Sequence, residues 1–135
     1  MPIDLTPLHK AIGRLDFALA RNAREPADEE VRDSVIQRFE FTYDLSHKML
    51  RRVLEATSAD PGEVERMTFP ELIRTAWEQG LVAEGWPAWH GFRDMRNITS
   101  HTYVEAKAIA VVAKVPVFLV EARCLAEQLT RRIEP

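Results

Sequence analysis

A long helical pattern occupies residues 28–56 and reads DEEVRDSVIQRFEFTYDLSHKMLRRVLEA. Asp28 and its two acidic neighbours suit the start of a helix, where the macrodipole favours negative charge. At 100° per residue, the apolar side chains form two stripes. One stripe contains Ile36, Phe39, Tyr43, Leu50 and Leu54, and the other contains Phe41, Leu45, Met49 and Val53. Because this belt exceeds half the circumference, we expect cover on two sides, from the chain's own bundle and from a second subunit.

The sequence around this segment is also helical in pattern. Thr6-Pro7 has the form of a helix cap followed by proline, and Pro26 ends the helix that it opens. Gly13 lies inside this first helix, where glycine costs about 1 kcal/mol relative to alanine, and we expect it to mark close packing. A capping-box pattern, Thr68 with Glu71, precedes a short helix.

Two further helices are predicted in the C-terminal half. One opens at Trp86-Pro87, and its two tryptophans are expected to be core anchors rather than a platform for stacked bases. The other is expected to start at a second capping box, Thr102 with Glu105, and to break near Pro116, which lacks a backbone donor. No segment alternates polar and apolar residues as a strand does. The sequence predicts an all-α, up-and-down bundle of four to five helices in a single domain, residues 1–135.

The composition restricts the class of protein. Hydrophobic residues make up 46% of the 135 residues and charged residues 29%, which argues against disorder. The formal net charge of −3 gives no overall basic field for duplex nucleic acid, which argues against strong nonspecific binding but is compatible with a small anion site. With one cysteine, no secretory pattern and no apolar run of membrane-spanning length, we expect a cytoplasmic protein without a membrane partner.

A concentrated polar motif, RNITSHTY, occupies residues 96–103. On one unbroken helix Arg96 and His101 would diverge by about 140°. If the chain instead bends between Asn97 and His101, the arginine ends one helix and the histidine precedes the next. The start of a helix offers free amide groups that attract anions. We therefore expect a bend that lets the guanidinium and the imidazole converge on an anion.

These groups suit metal-free cleavage of a phosphodiester bond. His101 would take the proton from a ribose 2′-hydroxyl or give one to the leaving oxygen, because imidazole titrates near neutrality. Arg96 would stabilise the charge of the transition state, and Asn97 would orient the pair. The alternative reading of the same residues is that they cap helices and satisfy a polar turn.

Three charged residues of the long helix are candidate supporting residues. Glu40 and Asp44 form an acidic i, i+4 pair, which either repels mildly or contacts an arginine of the motif or of a partner. Arg38 interrupts the apolar belt, either extended along its edge or in an ion pair facing the motif. His47, beside Asp44, is expected to be solvated. Because the sequence lacks zinc spacing and a glycine-rich phosphate loop, we expect no metal site and no nucleotidyltransferase activity on this chain.

Two segments are similar to the HEPN superfamily. RNITSHTY at 96–103 matches the Arg-x4-His-x-Tyr signature of HepT-like toxins. VIQRFEFTYDL at 35–45 resembles the second helix of nucleotidyltransferase substrate-binding proteins. With the opening helix and the region around 77–80, the resemblance extends over nearly the whole chain. It implies a helical bundle that dimerises and brings two copies of the motif to a shared cleft.

The resemblance also implies roles for individual residues. Arg96 and His101 match the residues that cleave RNA without a metal in HepT-like toxins, and Asn97 matches an assisting polar residue. Tyr103 matches the tyrosine that a cognate MntA-type minimal nucleotidyltransferase adenylylates in a type VII toxin–antitoxin pair. ATP and magnesium are then expected on that partner enzyme, and no cofactor on this chain. The alternatives are a noncatalytic substrate-binding subunit of a two-component nucleotidyltransferase and a structural dimer with a vestigial motif.

Overall fold

A computed structural model of the protein describes residues 3–134. The helices are α1 (Thr6–Arg24), α2 (Glu29–Thr57), α3 (Pro61–Glu65), α4 (Phe69–Glu78), α5 (Trp86–Ile98) and α6 (Glu105–Ile133), with a 3-10 turn at Thr99–His101. No strand occurs within this range, so the all-α prediction is confirmed. The structure adds one short helix, α3, to the predicted bundle, in the stretch between α2 and α4. Asp60 caps it by accepting a hydrogen bond from the Glu63 amide at 3.2 Å.

The central element is α2, which packs against each of the other five helices. Both of its apolar stripes are covered by the same chain: Met49 and Val53 are buried, and Leu45 is half-buried. Of the two stripes, only Phe41 remains exposed, at 57%. The helix is thus covered on two sides, as predicted, but the second cover comes from its own bundle. Dimerisation remains a prediction.

An aromatic cluster holds α5 in place against α2 and α6. The ring of Phe118 in α6 packs edge-on against Phe39 of α2, with ring centroids 5.0 Å apart. Trp89 and Phe92 of α5 approach the same ring at 6.2 and 5.3 Å. Edge-to-face pairs of this kind add to the free energy gained by burying the rings. The C-terminal end of α5, which carries the polar motif, is therefore fixed by the core.

Caps were predicted at Thr6, Asp28, Thr68 and Thr102, and the structure confirms those at Asp28 and Thr68. Asp28 accepts hydrogen bonds from two amides in the first turn of α2, and Thr68 with Glu71 forms a reciprocal capping box on α4. Thr6, in contrast, is the first helical residue of α1 and not its cap. The Asp4 carboxylate accepts the Thr6 amide hydrogen bond at 2.9 Å.

The start and the middle of α6 also differ from prediction. Val104, not Thr102, immediately precedes the helix, and the Thr102 hydroxyl instead donates to the Thr99 carbonyl at 3.1 Å. The helix continues through Pro116 without the predicted break. Proline inside a helix destabilises it by about 3 kcal/mol relative to alanine. Burial of a large side chain nearby, such as Phe118, stabilises the folded protein by about 1.5–3 kcal/mol, which offsets this penalty. Among residues 3–134, none of the helices combines the length and apolar character needed to cross a membrane.

Candidate functional site

The polar motif lies where α5 ends and the chain bends. After Ile98 the backbone tightens into the 3-10 turn Thr99–His101, and α6 starts only at Glu105. Side-chain hydroxyls accompany the bend: Thr99 donates to the Arg96 carbonyl at 2.6 Å, and Ser100 donates to the Asn97 carbonyl at 3.0 Å. These bonds satisfy carbonyl groups that a helix leaves unpaired at its C-terminus. The predicted bend is present.

The guanidinium of Arg96 is held by two carboxylates of α2. Its Nε and Nη2 atoms donate to the two carboxylate oxygens of Asp44 at 3.0 and 3.1 Å. Its Nη1 atom donates to the Thr99 hydroxyl at 3.0 Å and lies 3.1 Å from the Glu40 carboxylate. The hydrogen bond to Asp44, followed by the charges of Asp44 and Glu40, raises the pKa of Arg96 against the opposing effect of burial. Neither edge of this guanidinium keeps two free donors for a phosphate.

His101, Asn97 and Tyr103 are exposed at the bend. The Tyr103 side chain is 83% exposed, and its ring centroid lies 6.1 Å from that of His101. Within one chain, Arg96 is turned towards α2 and makes no hydrogen bond with the His101 ring. Asp44 and Glu40 hold the guanidinium, and its convergence with the imidazole on an anion, within one chain or across two copies, remains a prediction.

Two of the three candidate supporting residues lie at this site. Glu40 and Asp44 contact the motif arginine, as one of the sequence alternatives proposed. Arg38 does not face the motif, and its Nη1 atom donates to the Arg14 carbonyl of α1 at 2.9 Å. A catalytic or supporting role for any of these side chains remains a prediction.

A cluster of rings lies beside the motif, between α2, α4 and α5. His47 is half-buried and stacks on Phe69 with ring centroids 4.1 Å apart, so the prediction of a solvated histidine is wrong. Burial, and then the charge of Arg51, lowers the pKa of His47. Nearby Tyr43 is buried, which raises its pKa to about 12. Within residues 3–134 there is no group of three or more His, Cys, Asp or Glu side chains placed to hold a metal ion.

Sequence reasoning missed Arg93, which lies one turn before Arg96. Its guanidinium carbon lies 5.0 Å from the ring centroid of Trp86. The signal was the spacing of Trp86, His90, Arg93 and Asn97, which puts all four on one face of α5. Of the two tryptophans that were predicted to be core anchors, Trp89 is 1% exposed, whereas Trp86 is only half-buried.

Comparison with known proteins identifies the family. Residues 3–131 match the family described as nucleotidyltransferase substrate binding protein like. A Haemophilus influenzae protein named probable ribonuclease HepT is 43% identical over 97 residues, which cover 72% of this chain and 66% of that protein, slightly under two thirds of its length. A solved Haemophilus influenzae structure, described as revealing the fold of a substrate binding domain of a nucleotidyltransferase, is 33% identical with a TM-score of 0.89. The match covers 94% of this chain and 99% of that one. The predicted resemblance is confirmed: the chain belongs to the nucleotidyltransferase substrate-binding-like family.

Proposed function

We propose that this protein is a HepT-like endoribonuclease that cleaves RNA without a metal ion and acts as the toxin of a toxin–antitoxin pair. The observation that carries the proposal is the exposed pair His101 and Tyr103, presented at a bend beside a carboxylate-fixed Arg96. The 43% identity to a protein named probable ribonuclease HepT supports the same activity.

His101 is the proton-transfer group in this proposal. It takes the proton of a ribose 2′-hydroxyl, whose oxygen attacks the adjacent phosphorus. The bond to the 5′-oxygen breaks, and that oxygen receives a proton from a second acid. The products are a 2′,3′-cyclic phosphate and a free 5′-hydroxyl. Arg96 adds positive charge at the transition-state phosphate, and Asn97 orients the reacting groups.

A homodimer supplies the second acid. One chain exposes a single imidazole at the bend, so two copies around a twofold axis would provide one histidine as base and one as acid. Exposed apolar side chains of the motif and its neighbour suit such an interface: Ile98 is 38% exposed and Val104 39%. Size measurement of the purified protein tests the dimer, and a monomer that cleaves RNA would contradict this part of the proposal.

Expression of the chain alone tests the ribonuclease. We expect the wild type to slow growth and the purified protein to cleave single-stranded RNA in the presence of EDTA. His101→Ala should lose the cleavage, and Arg96→Ala should reduce it about 100- to 1000-fold. His9→Ala is the control, because His9 is an exposed histidine of α1, away from the motif and from the exposed face of α5, and its loss should leave growth inhibition in place. Equal growth with all four proteins would contradict the proposal.

Adenylylation of Tyr103 by a partner nucleotidyltransferase is the proposed means of neutralisation. The exposed phenol is accessible to another enzyme, and AMP attached there would put a bulky anion next to His101. With the partner, ATP and magnesium, mass spectrometry should detect added AMP on the wild type and on Tyr43→Phe, whose tyrosine is only 5% exposed. Added AMP that persists on Tyr103→Phe would refute the assignment.

One observation favours a second function, that of a noncatalytic substrate-binding subunit of a nucleotidyltransferase. Asp44, Glu40 and Thr99 engage most N–H donors of Arg96, so in one chain it presents no two-donor edge to a phosphate. This function predicts that the protein co-purifies with the nucleotidyltransferase but leaves RNA intact in EDTA. His101→Ala would then match the wild type in every growth assay.

A further inference from the structure

The exposed face of α5 carries an aromatic and basic stripe that leads to the motif. Trp86, His90, Arg93 and Asn97 follow one another at spacings of four, three and four residues. At 100° per residue they fall within about 60° of one another. The stripe is about 16 Å long at 1.5 Å per residue, and His101 lies just beyond its end.

Arg93 differs from Arg96 in having no counter-ion. Within residues 3–134, no carboxylate lies within 4 Å of the Arg93 guanidinium and no hydrogen bond engages it, whereas Arg96 binds both Asp44 and Glu40. Its one specific contact is with the Trp86 ring at 5.0 Å. A cation stacked on an indole keeps its in-plane N–H donors free. Of the two arginines, Arg93 is therefore the one able to offer a two-donor edge to a phosphate.

The aromatic part of the stripe is fixed in position by the fold. The Trp86 ring packs edge-on against Phe69 at 5.7 Å, and Phe69 in turn stacks with His47 at 4.1 Å. His90 lies 5.5 Å from the Trp86 ring, and its side chain is 50% exposed. Rigid and partly exposed rings next to a free arginine are the arrangement on which single-stranded nucleic acids stack their bases.

We propose that Trp86, His90 and Arg93 form a nucleotide subsite, in which Arg93 binds a backbone phosphate, the Trp86 ring stacks a base of single-stranded RNA, and His90, whose ring is inclined at 65° to the indole, borders that base. This inference rests on the proposed ribonuclease function and adds the substrate class, an unpaired strand. Arg93 is one helical turn, about 6 Å along the axis, from Asn97. The subsite therefore holds nucleotides that flank the cleaved bond. A paired strand would not fit, because its bases are already stacked on one another.

RNA binding by a non-cleaving protein tests the subsite. In a His101→Ala background, the affinity for a short fluorescent single-stranded RNA is measured by anisotropy at several salt concentrations. Arg93→Gln should weaken binding about tenfold and lower the slope of log affinity against log salt by about 0.7, as expected for one lost phosphate contact. Arg52→Gln is the charge-matched control, because Arg52 is an exposed arginine of α2 without an ion pair in the described chain. Equal affinities for the Arg93 and Arg52 variants, or no RNA binding at all, would overturn the proposal.

A strand without bases distinguishes the contribution of base stacking to affinity from that of the phosphate charges. This comparison does not require a tryptophan variant to fold. An abasic strand of the same length should bind the His101→Ala protein at least fivefold more weakly than RNA. Trp86→Phe should reduce the difference in affinity between RNA and the abasic strand. Equal affinity for the two ligands would refute the stacking role. If Arg93→Gln binds RNA normally but loses the nucleotidyltransferase in co-purification, the stripe is a protein interface and the nucleotide subsite is wrong.

The same variants distinguish this proposal from the ribonuclease proposal. If the wild type does not cut RNA in EDTA but binding still depends on Arg93, the subsite holds and the ribonuclease activity fails. If the wild type cuts RNA and Arg93→Gln binds and cuts it as Arg52→Gln does, the ribonuclease holds and the subsite fails.

Discussion

Arg96 of α5 and Asp44 of α2 form a two-point ion pair across 52 residues of sequence, with N···O distances of 3.0 and 3.1 Å. The pair joins the end of the helix that carries the motif to the central helix. Two parallel N–H···O bonds make it stronger than an ordinary surface pair, although solvent screens it because the Asp44 side chain is 56% exposed.

A double-mutant cycle with Asp44→Asn and Arg96→Gln should therefore give a coupling free energy of about 1 kcal/mol in urea unfolding. The control pair is Arg131 with Glu127, a single i, i+4 contact with side chains 68% and 59% exposed. Its coupling should be smaller, about 0.3–0.5 kcal/mol. A cycle for Arg96 and Asp44 that gives no coupling would show that the pair does not fix the motif.

Most of the fold was predictable because helical periodicity and local caps decide it. The two stripes of α2 and the cap at Asp28 depend on neighbours within one or two turns. Pro116 was misjudged because its penalty is local, whereas the burial that offsets it comes from packing between helices. The start of α6 was misplaced for a related reason, since the hydroxyl of Thr102 had a competing acceptor in the preceding turn.

The site was predictable in composition but not in geometry. The acidic pair Glu40 and Asp44 signalled a nearby cation, and the bend after Arg96 followed from the spacing of the motif. That both carboxylates would contact this guanidinium depends on the distance between α2 and α5, which no local pattern encodes. Arg93 was missed because what distinguishes it from Arg96 is the lack of a nearby carboxylate within the described residues. That lack depends on how the folded surface is arranged and cannot be read from local sequence.

Gly13 was expected to mark close packing, but it is exposed in α1, and a Cβ atom there would meet nothing within 4 Å. Gly13→Ala should therefore raise the free energy of unfolding by about 0.5–1 kcal/mol, because alanine has the higher helix propensity. Gly80 is the contrasting position, since its φ of +74° disfavours any side chain. Gly80→Ala should destabilise the protein by about 1 kcal/mol. Urea unfolding of both variants measures the two effects, and a destabilising Gly13→Ala would contradict the first.

The buried carboxylate of Glu121 makes stability depend on pH. It accepts hydrogen bonds from the Ala83 and Glu84 amides at 2.8 and 3.1 Å, yet burial raises its pKa above the ordinary 4.5. The folded protein therefore holds this proton more tightly than the unfolded chain does. Between pH 4.5 and the raised value, the contribution of Glu121 to stability falls as the pH rises. Unfolding of Glu121→Gln across this range should lack that decline, whereas Glu127→Gln, an exposed carboxylate of the same helix, should keep it.

His47 should change the pH dependence of stability in the opposite direction to Glu121. Its pKa is lowered from 6.5, chiefly by burial against Phe69, so the unfolded chain takes up a proton before the folded protein does. The stability contributed by the neutral ring is complete above pH 6.5 and is lost as the pH falls towards the lowered value. His47→Gln should flatten this part of the unfolding profile. A His47→Gln profile that declines on acidification as steeply as the wild type would contradict the assignment.

The charge of the Arg96 network should limit the binding of RNA. Arg96, Glu40 and Asp44 together carry a net charge of −1, which repels a phosphodiester. Asp44→Asn brings this net charge to zero. It also releases one of the two N–H groups of Arg96 that donate to Asp44. In the His101→Ala background, Asp44→Asn should therefore bind single-stranded RNA about fivefold more tightly, equivalent to about 1 kcal/mol. Asp33→Asn removes the same charge from an exposed carboxylate of α2 that has no ion pair within the described residues, and it should change the affinity less. If Asp44→Asn instead weakens binding, the carboxylate holds Arg96 in its working position, and the guanidinium reaches phosphate through the one donor that remains free.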